Sequence, residues 1–218
     1  MTLIRGTYLF ALNPDGTCCA FVLVSPNAFF DQFVHNVSDA IDNGSITSKD
    51  ISSFIFPNTF LIDGNNFFTV GFHTYFFDSA SPSNGNVEKR WLVNYSSWVT
   101  PDVFFGPAFA DITAHSHEIA ETFNDPFVAS DGVHNITPWW LSPNGNCQNN
   151  LEDGDVVEGL PHATFPIQMA NGYTYHPQNE ALLQWFKEGS SDAINGDYSY
   201  PNESILTNPN SVQKQFCQ

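Results

Sequence analysis

The sequence predicts an α+β fold in a single domain, built on a mixed or antiparallel sheet. Runs of β-branched and aromatic residues alternate along the chain with stretches of helical periodicity, and this interleaving is typical of α+β proteins. The 218 residues include 42% hydrophobic and 15% aromatic side chains, enough to fill the core of one domain of this length. We therefore expect one domain over residues 1–218, without internal repeats.

A β-hairpin is the first predicted element. Residues 7–12 and 17–24 are strand-like runs. The sequence Asn13-Pro14-Asp15-Gly16 between them is typical of a turn, because Pro presets φ and Gly accepts a left-handed conformation. An amphipathic helix is expected next, over about residues 26–43, because Ser25-Pro26 is a helix-starting pair and apolar residues then recur at helical spacing.

Three further strand-like segments precede a second helix. The strands are predicted at residues 53–62, 66–77 and 90–95. The helix is expected over about residues 107–124 and must end there, because Pro126 disfavours a helical conformation in the residue before it.

The remainder of the chain has weaker periodicity. An irregular region rich in Asn, Gly and Pro is expected over about residues 127–176, followed by a helix at 178–187 and a polar tail over about 188–218. The sequence thus predicts a long irregular C-terminal region after the second helix.

The chain is strongly acidic. Six Lys and Arg residues stand against 23 Asp and Glu residues, so the formal net charge is -17. This charge repels phosphate backbones and anionic lipid headgroups, and nucleic-acid and membrane partners are therefore disfavoured. No apolar run reaches the roughly 18 residues that a transmembrane helix requires.

Two features predict a secreted glycoprotein with disulfides. An even set of four cysteines allows three pairings among Cys18, Cys19, Cys147 and Cys217. Asn-x-Ser/Thr triplets, the acceptors of N-glycosylation, begin at Asn36, Asn43, Asn94, Asn135 and Asn202. Both features are typical of extracellular proteins.

A metal-binding pattern lies on the second predicted helix. His117 and Glu121 are four residues apart, so their side chains lie on the same face and can bind one cation. Glu118 is rotated by about 100° and can lean over the open position of the metal. This is the geometry of the His-Glu-x-x-His zincins with Glu in place of the second His, and it predicts a zincin-like domain with a zinc site.

The opposite face of this helix is expected to anchor it in the core. That face carries Ile112, Ser116, Ile119 and Phe123. The sequence therefore predicts a packing side and a separate metal-binding side.

A catalytic zinc site needs a third protein ligand. His115 is disfavoured, because two residues on a helix are about 200° apart and its ring points away from that of His117. An acidic cluster downstream offers Glu152, Asp153, Asp155 and Glu158, of which Asp155 is favoured, while His73 and His134 stay open. Asp125 is expected to accept a hydrogen bond from the outer nitrogen of His117.

The residues around the motif resemble a known family. The pattern Ser116-His117-Glu118-x-x-Glu121-x-x-Asn124-Asp125-Pro126, then Trp139-Trp140 and later Gly154-Asp155, is similar to the plant phosphate-induced (EXORDIUM-like) proteins and their bacterial and fungal secreted relatives. The match spans about residues 28–185. It implies export from the cell, a zincin-like core, and Asp155 as a metal ligand. In this chain Val-Val-Glu-Gly follows Asp155, where the family has a Cys.

Two functional hypotheses follow. The first is a secreted zinc metallopeptidase, in which metal-activated water hydrolyses a peptide bond with Glu118 as general base. The second is a non-catalytic secreted glycoprotein that binds cell-wall polysaccharide or a protein and keeps a structural or vestigial metal site. Calcium is an alternative cation at Asp153-Gly154-Asp155, because carboxylates around a glycine suit hard cations.

Overall fold

The protein has an α+β fold, as the sequence predicted. The computed structural model describes residues 8–11, 21–64, 68–101, 105–106, 108–128, 140–148, 151–186 and 196–209. The predicted turn at 13–16 lies outside the described residues, as do His134, Asn135 and all the cysteines except Cys147. The chain divides into two compact units, Met1–Asp111 and Ile112–Gln218. The single domain expected from the sequence stays a prediction.

The described residues of the first unit form one long helix and seven strands. These are β1 (Tyr8–Ala11), β2 (Phe21–Val24), α1 (Pro26–Asp42), β3 (Ile51–Pro57), β4 (Thr59–Ile62), β5 (Phe68–Thr69), β6 (Gly71–Asp78) and β7 (Lys89–Trp98). A short 3-10 helix, Pro82–Asn84, lies between the last two strands. The predicted hairpin is confirmed, because β1 and β2 pair antiparallel, and α1 matches the predicted helix closely.

Both sheets of the first unit are mixed. One has the order β1-β2-β4-β5, in which β2 and β4 run parallel. The other has the order β3-β7-β6, in which β3 and β7 run parallel while β6 and β7 are antiparallel. Helix α1 buries Phe29, Phe33 and Val37 in a core shared with Val93 and Tyr95 of β7. Burial of one apolar helix face supplies most of the stability of such a helix.

A single residue splits the strand predicted at 53–62. Asn58 has a positive φ of 43° and ends β3 before β4 begins. Asn accepts this left-handed conformation more readily than most residues. Its side chain bonds to Thr100 through both amide atoms, at 3.0 and 2.8 Å. The turn at Asn58 therefore directs the two halves of the segment into different sheets.

The described residues of the second unit form two helices and short paired strands. They are α2 (Thr113–Asn124), β8 (Trp140–Leu141), β9 (Cys147–Gln148), β10 (Ile167–Gln168), β11 (Thr174–Tyr175), β12 (Glu180–Ala181), α3 (Leu183–Phe186) and β13 (Ser199–Tyr200). The short strands pair antiparallel as β8 with β9, β10 with β11 and β12 with β13. The described residues of the predicted irregular region thus hold two small hairpins.

The predicted helix at 178–187 is mostly absent. Strand β12 and the single turn of α3 occupy this segment, because Asn179 is tied to neighbouring loops. Its amide nitrogen donates to His162 O and Ala163 O, and its oxygen accepts from Asn202 N. The predicted polar tail also contributes to the core, where Tyr198 and Leu206 pack with Val156, Val157, Ala181, Trp185 and Phe186. Among the described helices, none is long and apolar enough to cross a membrane.

Candidate metal centre

Helix α2 buries the face that carries the metal-binding pattern. His117, Glu118 and Glu121 are 8%, 4% and 2% exposed, whereas Phe123 is 73% exposed. The prediction that the face with Ile119 and Phe123 anchors the helix is therefore wrong. The hydrophobicity of Phe123 suggested an anchor, but Thr113, Ala114 and Thr122 are the other buried residues of the helix. A polar face of this kind is buried only when its charges have partners.

The imidazole of His117 lies among three carboxylates. Its Nε2 is 3.1 Å from Glu121 Oε1, 3.4 Å from Asp155 Oδ1 and 4.0 Å from Glu118 Oε1. In the described part of the chain, His117, Glu118 and Glu121 offer ligand atoms within 4.8 Å of one another. Asp155 lies on a loop that follows the helix in the chain. It reaches the same nitrogen with a side chain that is 35% exposed. The structure therefore brings together all four residues predicted for the metal and its general base.

Glu121 fixes the loop that carries Asp155. Its Oε1 accepts hydrogen bonds from the backbone N–H groups of Gly154, at 3.1 Å, and Asp155, at 3.3 Å. The bond to Gly154 is buried, so it holds the loop against the helix with little competition from water. The sequence spacing gave no indication of these two bonds.

Gly154 is required by the close approach of the loop to the histidine. A Cβ on this residue would lie 2.5 Å from His117 Nδ1 and 2.9 Å from Glu180 Oε2. Both distances are shorter than van der Waals contact permits, so only glycine fits between these side chains.

Gln178 lies against the outer nitrogen of His117. Its Nε2 is 3.0 Å from His117 Nδ1 and donates to Gly154 O at 2.7 Å. Asp125, which the sequence predicted for this role, accepts a bond from Leu151 N at 3.4 Å. Gln178 could not be predicted from the sequence, because it lies 61 residues from His117 and belongs to no motif.

In the neutral form of His117, the contact with the Gln178 amide favours one tautomer. With one amide hydrogen on Gly154 O, the other faces Nδ1, which then accepts, and a neutral imidazole carries its proton on Nε2 toward the carboxylates. A cation bound at Nε2 requires the proton to be on Nδ1. Cation binding therefore requires the amide to turn over, so that Oε1 accepts from Nδ1–H.

Several acids around His117 have raised pKa values. Burial, reinforced by Glu121, raises the pKa of Asp153 to about 7. Burial is also the main cause that raises the pKa of Glu158 and, more strongly, that of Glu180. For His117, burial lowers the pKa, but the carboxylates of Glu121, Asp155 and Glu118 outweigh it, and its pKa lies well above 6.5. Each acid thus disfavours the negative charge of the others.

The described residues of the second unit include no Lys or Arg. The Nε2 of His117 is a basic atom within 4.0 Å of carboxylate oxygens of Glu118, Glu121 and Asp155. Asp153 Oδ1 is buried without a hydrogen-bond partner among the described residues. Buried charges without counter-charges are neutralised by protonation or by a bound cation.

The sequence left His73 and His134 open as ligands and disfavoured His115. His73 is buried on β6 in the first unit, and His134 lies outside the described residues. His115 is on α2, and burial lowers its pKa. The prediction that it is not a ligand stays a prediction.

The glycosylation triplets differ in their exposure. Asn43 is exposed, and Asn36 and Asn202 are partly exposed. Asn94 is 0% exposed in the middle of β7. Because a glycan cannot be accommodated at a fully buried strand position, the fold argues against glycosylation at Asn94. Asn135 lies outside the described residues.

Comparisons with protein-family models, curated proteins and solved structures return no match to this chain. The resemblance to the phosphate-induced proteins accordingly stays a prediction. The function must be argued from the residues of the site itself.

Proposed function

We propose that the protein is a secreted, zincin-like, zinc-dependent peptidase whose metal centre is formed by His117, Glu121 and Asp155. The observation that carries this proposal is the convergence of two carboxylates on one imidazole nitrogen in a buried acidic site, at 3.1 and 3.4 Å. Export is supported by the acidic charge and by the exposed glycosylation triplet at Asn43.

The spacing of these atoms fits zinc. Two ligand atoms bound at about 2.1 Å and at a tetrahedral angle lie about 3.4 Å apart. The distances from Nε2 to Glu121 Oε1 and to Asp155 Oδ1 are close to this value. Imidazole nitrogen and carboxylate oxygen are both ordinary zinc ligands. The partial exposure of Asp155 leaves one side of the centre open to a substrate.

Glu118 is the proposed general base. A zinc ion at this centre supplies Lewis-acid polarisation of the substrate carbonyl and lowers the pKa of a water ligand to about 7. The Glu118 carboxylate lies 4.0 Å from His117 Nε2, farther than Glu121 and close enough to reach a water beside the metal position. Glu118 would accept the proton of that water and then donate it to the leaving amine.

The first test measures metal and activity together. Elemental mass spectrometry of native protein should find about one zinc per chain, lost in His117→Ala and in Glu121→Ala because each change removes a ligand. Glu118→Gln should keep the zinc and lower peptide-library cleavage by about 100- to 10,000-fold. Asp31→Asn, an exposed change on α1, serves as the control with unchanged zinc and activity. Absence of zinc from native protein would refute the proposal.

Burial of the cluster favours a second candidate function. His117, Glu118 and Glu121 are all at most 8% exposed, as in a closed structural metal site. In that case the protein is a non-catalytic glycoprotein that binds polysaccharide or a protein. This function predicts full zinc occupancy without hydrolysis of any peptide in the library, and a peptidase activity abolished by Glu118→Gln would exclude it.

A further inference from the structure

Two buried acids beside the candidate metal centre have no role in the proposed reaction. Asp153 is 2% exposed, and its Oδ2 accepts a hydrogen bond from Asn124 Nδ2. Its Oδ1 is buried and has no hydrogen-bond partner among the described residues. Both oxygens of Glu180 are likewise buried without a hydrogen-bond partner in the described chain, although the residue as a whole is partly exposed.

The backbone holds these two residues side by side. Ala181 N donates to Asp153 O at 3.0 Å, which joins the start of β12 to the loop that carries Asp153. Gly154 lies between them, and a Cβ on it would be 2.9 Å from Glu180 Oε2. The Glu180 carboxylate therefore rests on the backbone of Gly154, next to Asp153.

Protonation alone does not satisfy these carboxyl groups. A protonated carboxyl group carries an O–H donor, which needs an acceptor when it is buried. Neither Glu180 oxygen nor Asp153 Oδ1 has any hydrogen-bond partner within the described residues. Protonation would remove the charge but leave the remaining lone pairs of these oxygens without a donor. A cation removes the charge and also occupies the oxygen lone pairs.

No Lys or Arg is present in the described part of the second unit. The Nε2 side of His117 is already directed to Glu121 and Asp155, and Gln178 covers its Nδ1. Unpartnered carboxylate oxygens of this kind are the ligands that a hard divalent cation prefers.

We propose that Asp153 and Glu180 bind a calcium-type divalent cation at a second site, distinct from the zinc centre at His117. The two sites share the segment Asp153-Gly154-Asp155 but differ in ligand chemistry. Asp155 faces an imidazole nitrogen, which suits zinc, whereas Asp153 and Glu180 offer only oxygen, which suits calcium. The sequence leaves zinc and calcium open as alternative cations at this loop. In this proposal each cation has its own site, zinc at Asp155 and calcium at Asp153.

The test uses the full chain after exhaustive chelation, and titrates it with Ca²⁺ alone and with Zn²⁺ alone. Wild-type protein should bind about one of each per chain. Glu180→Gln and Asp153→Asn should each weaken calcium binding at least about tenfold, because one charged ligand is removed, and leave zinc binding in place. His117→Ala should show the reverse pattern. Asp31→Asn is the matched control for loss of an exposed carboxylate.

The outcomes separate this proposal from the proposed function. Calcium binding that is absent in wild type, or unchanged in both Glu180→Gln and Asp153→Asn, overturns the second site and leaves the zinc centre intact. Zinc binding that is absent while calcium binds refutes the peptidase and supports the second site. Urea unfolding provides an independent readout: metal-free Glu180→Gln should be more stable than metal-free wild type, because a buried uncompensated carboxylate is removed. Lower stability of that variant overturns the proposal.

Discussion

At the residue scale, Gln178 is the side chain that contacts the outer nitrogen of His117, the proposed zinc ligand. Its Nε2 contacts His117 Nδ1 and Gly154 O, and the residue is buried between them. A metal-bound imidazole needs an acceptor for its Nδ1–H, which Gln178 can offer after its amide turns over. The turn costs the bond to Gly154 O. The Gln178 amide would therefore make different hydrogen bonds beside a neutral, metal-free His117 and beside a metal-bound His117.

Gln178→Met is therefore expected to lower zinc affinity by about 10- to 100-fold, the usual effect of removing the partner of a histidine ligand. Met has a similar length and no amide, so the ring of His117 loses its acceptor while the volume is kept. Competition with a zinc-binding dye measures the affinity. Gln168→Met on the exposed strand β10 is the control. Equal zinc affinity in Gln178→Met and wild type would contradict the role assigned to the amide.

Sequence reasoning predicted the principal site residues because they form a local pattern. His117, Glu118 and Glu121 follow from helical spacing, and Asp155 follows from the family resemblance. Gln178, Asp153 and Glu180 could not be predicted, because their roles depend on loops that meet only in the folded chain. A glutamine has no periodic signal, and one acidic side chain in an acidic protein is not distinguishable from another.

At the scale of elements, the first unit was more predictable than the second. The hairpin and α1 carry strong local signals, namely alternating strand residues and a helix-starting Ser-Pro pair. The division of residues 53–62 at Asn58 depends on bonds to Thr100, 42 residues away. In the second unit, the buried face of α2 is polar, so the rule that apolar residues mark the packing face fails there.

The contact between helix α2 and the loop around Gly154 gives the element-scale prediction. In Gly154→Ala, the new Cβ would lie 2.5 Å from His117 Nδ1, so the loop or the ring must move. Such overpacking is expected to lower the free energy of unfolding by about 1–3 kcal/mol and to weaken zinc binding. Urea unfolding midpoints and zinc titration measure both effects.

Gly64→Ala is the matched control for this change. A Cβ at Gly64 would have no atom within 4 Å, and its φ is not in the left-handed region. Its effect on the unfolding free energy should be small, within about 0.5 kcal/mol. Wild-type stability together with wild-type zinc affinity in Gly154→Ala would refute the steric argument.

At the scale of the whole molecule, the acid cluster sets the dependence of stability on pH. The pKa of Asp153 is raised by burial from 3.8 to about 7, and the pKa values of Glu158 and Glu180 are raised in the same direction. Between the unfolded and folded pKa of each acid, the folded state holds more protons, so metal-free stability falls as pH rises through this window. The pKa of His117 is raised above 6.5 in the folded state, so protonated His117 stabilises the fold. This stabilisation is lost as pH rises through the folded pKa.

One histidine acts against this fall in stability with rising pH. Burial lowers the pKa of His115, so this residue favours the folded state at higher pH. The net charge of -17 adds repulsion as the remaining acids ionise. We therefore expect the metal-free protein to be more stable at pH 5 than at pH 8. In most proteins, by contrast, acid lowers the stability of the folded state.

The size of this effect and its reversal by cations can be measured together. Asp153 alone contributes at most about 4 kcal/mol between pH 4 and 8, from its shift to about 7. Urea unfolding in chelator at pH 5 and pH 8 should give the higher midpoint at pH 5, and Asp153→Asn should reduce the difference. Saturating zinc and calcium should raise the midpoint at pH 8 more than at pH 5, because cations bind the deprotonated groups. A metal-free protein that is more stable at pH 8 would mean that these acids are not buried together as described.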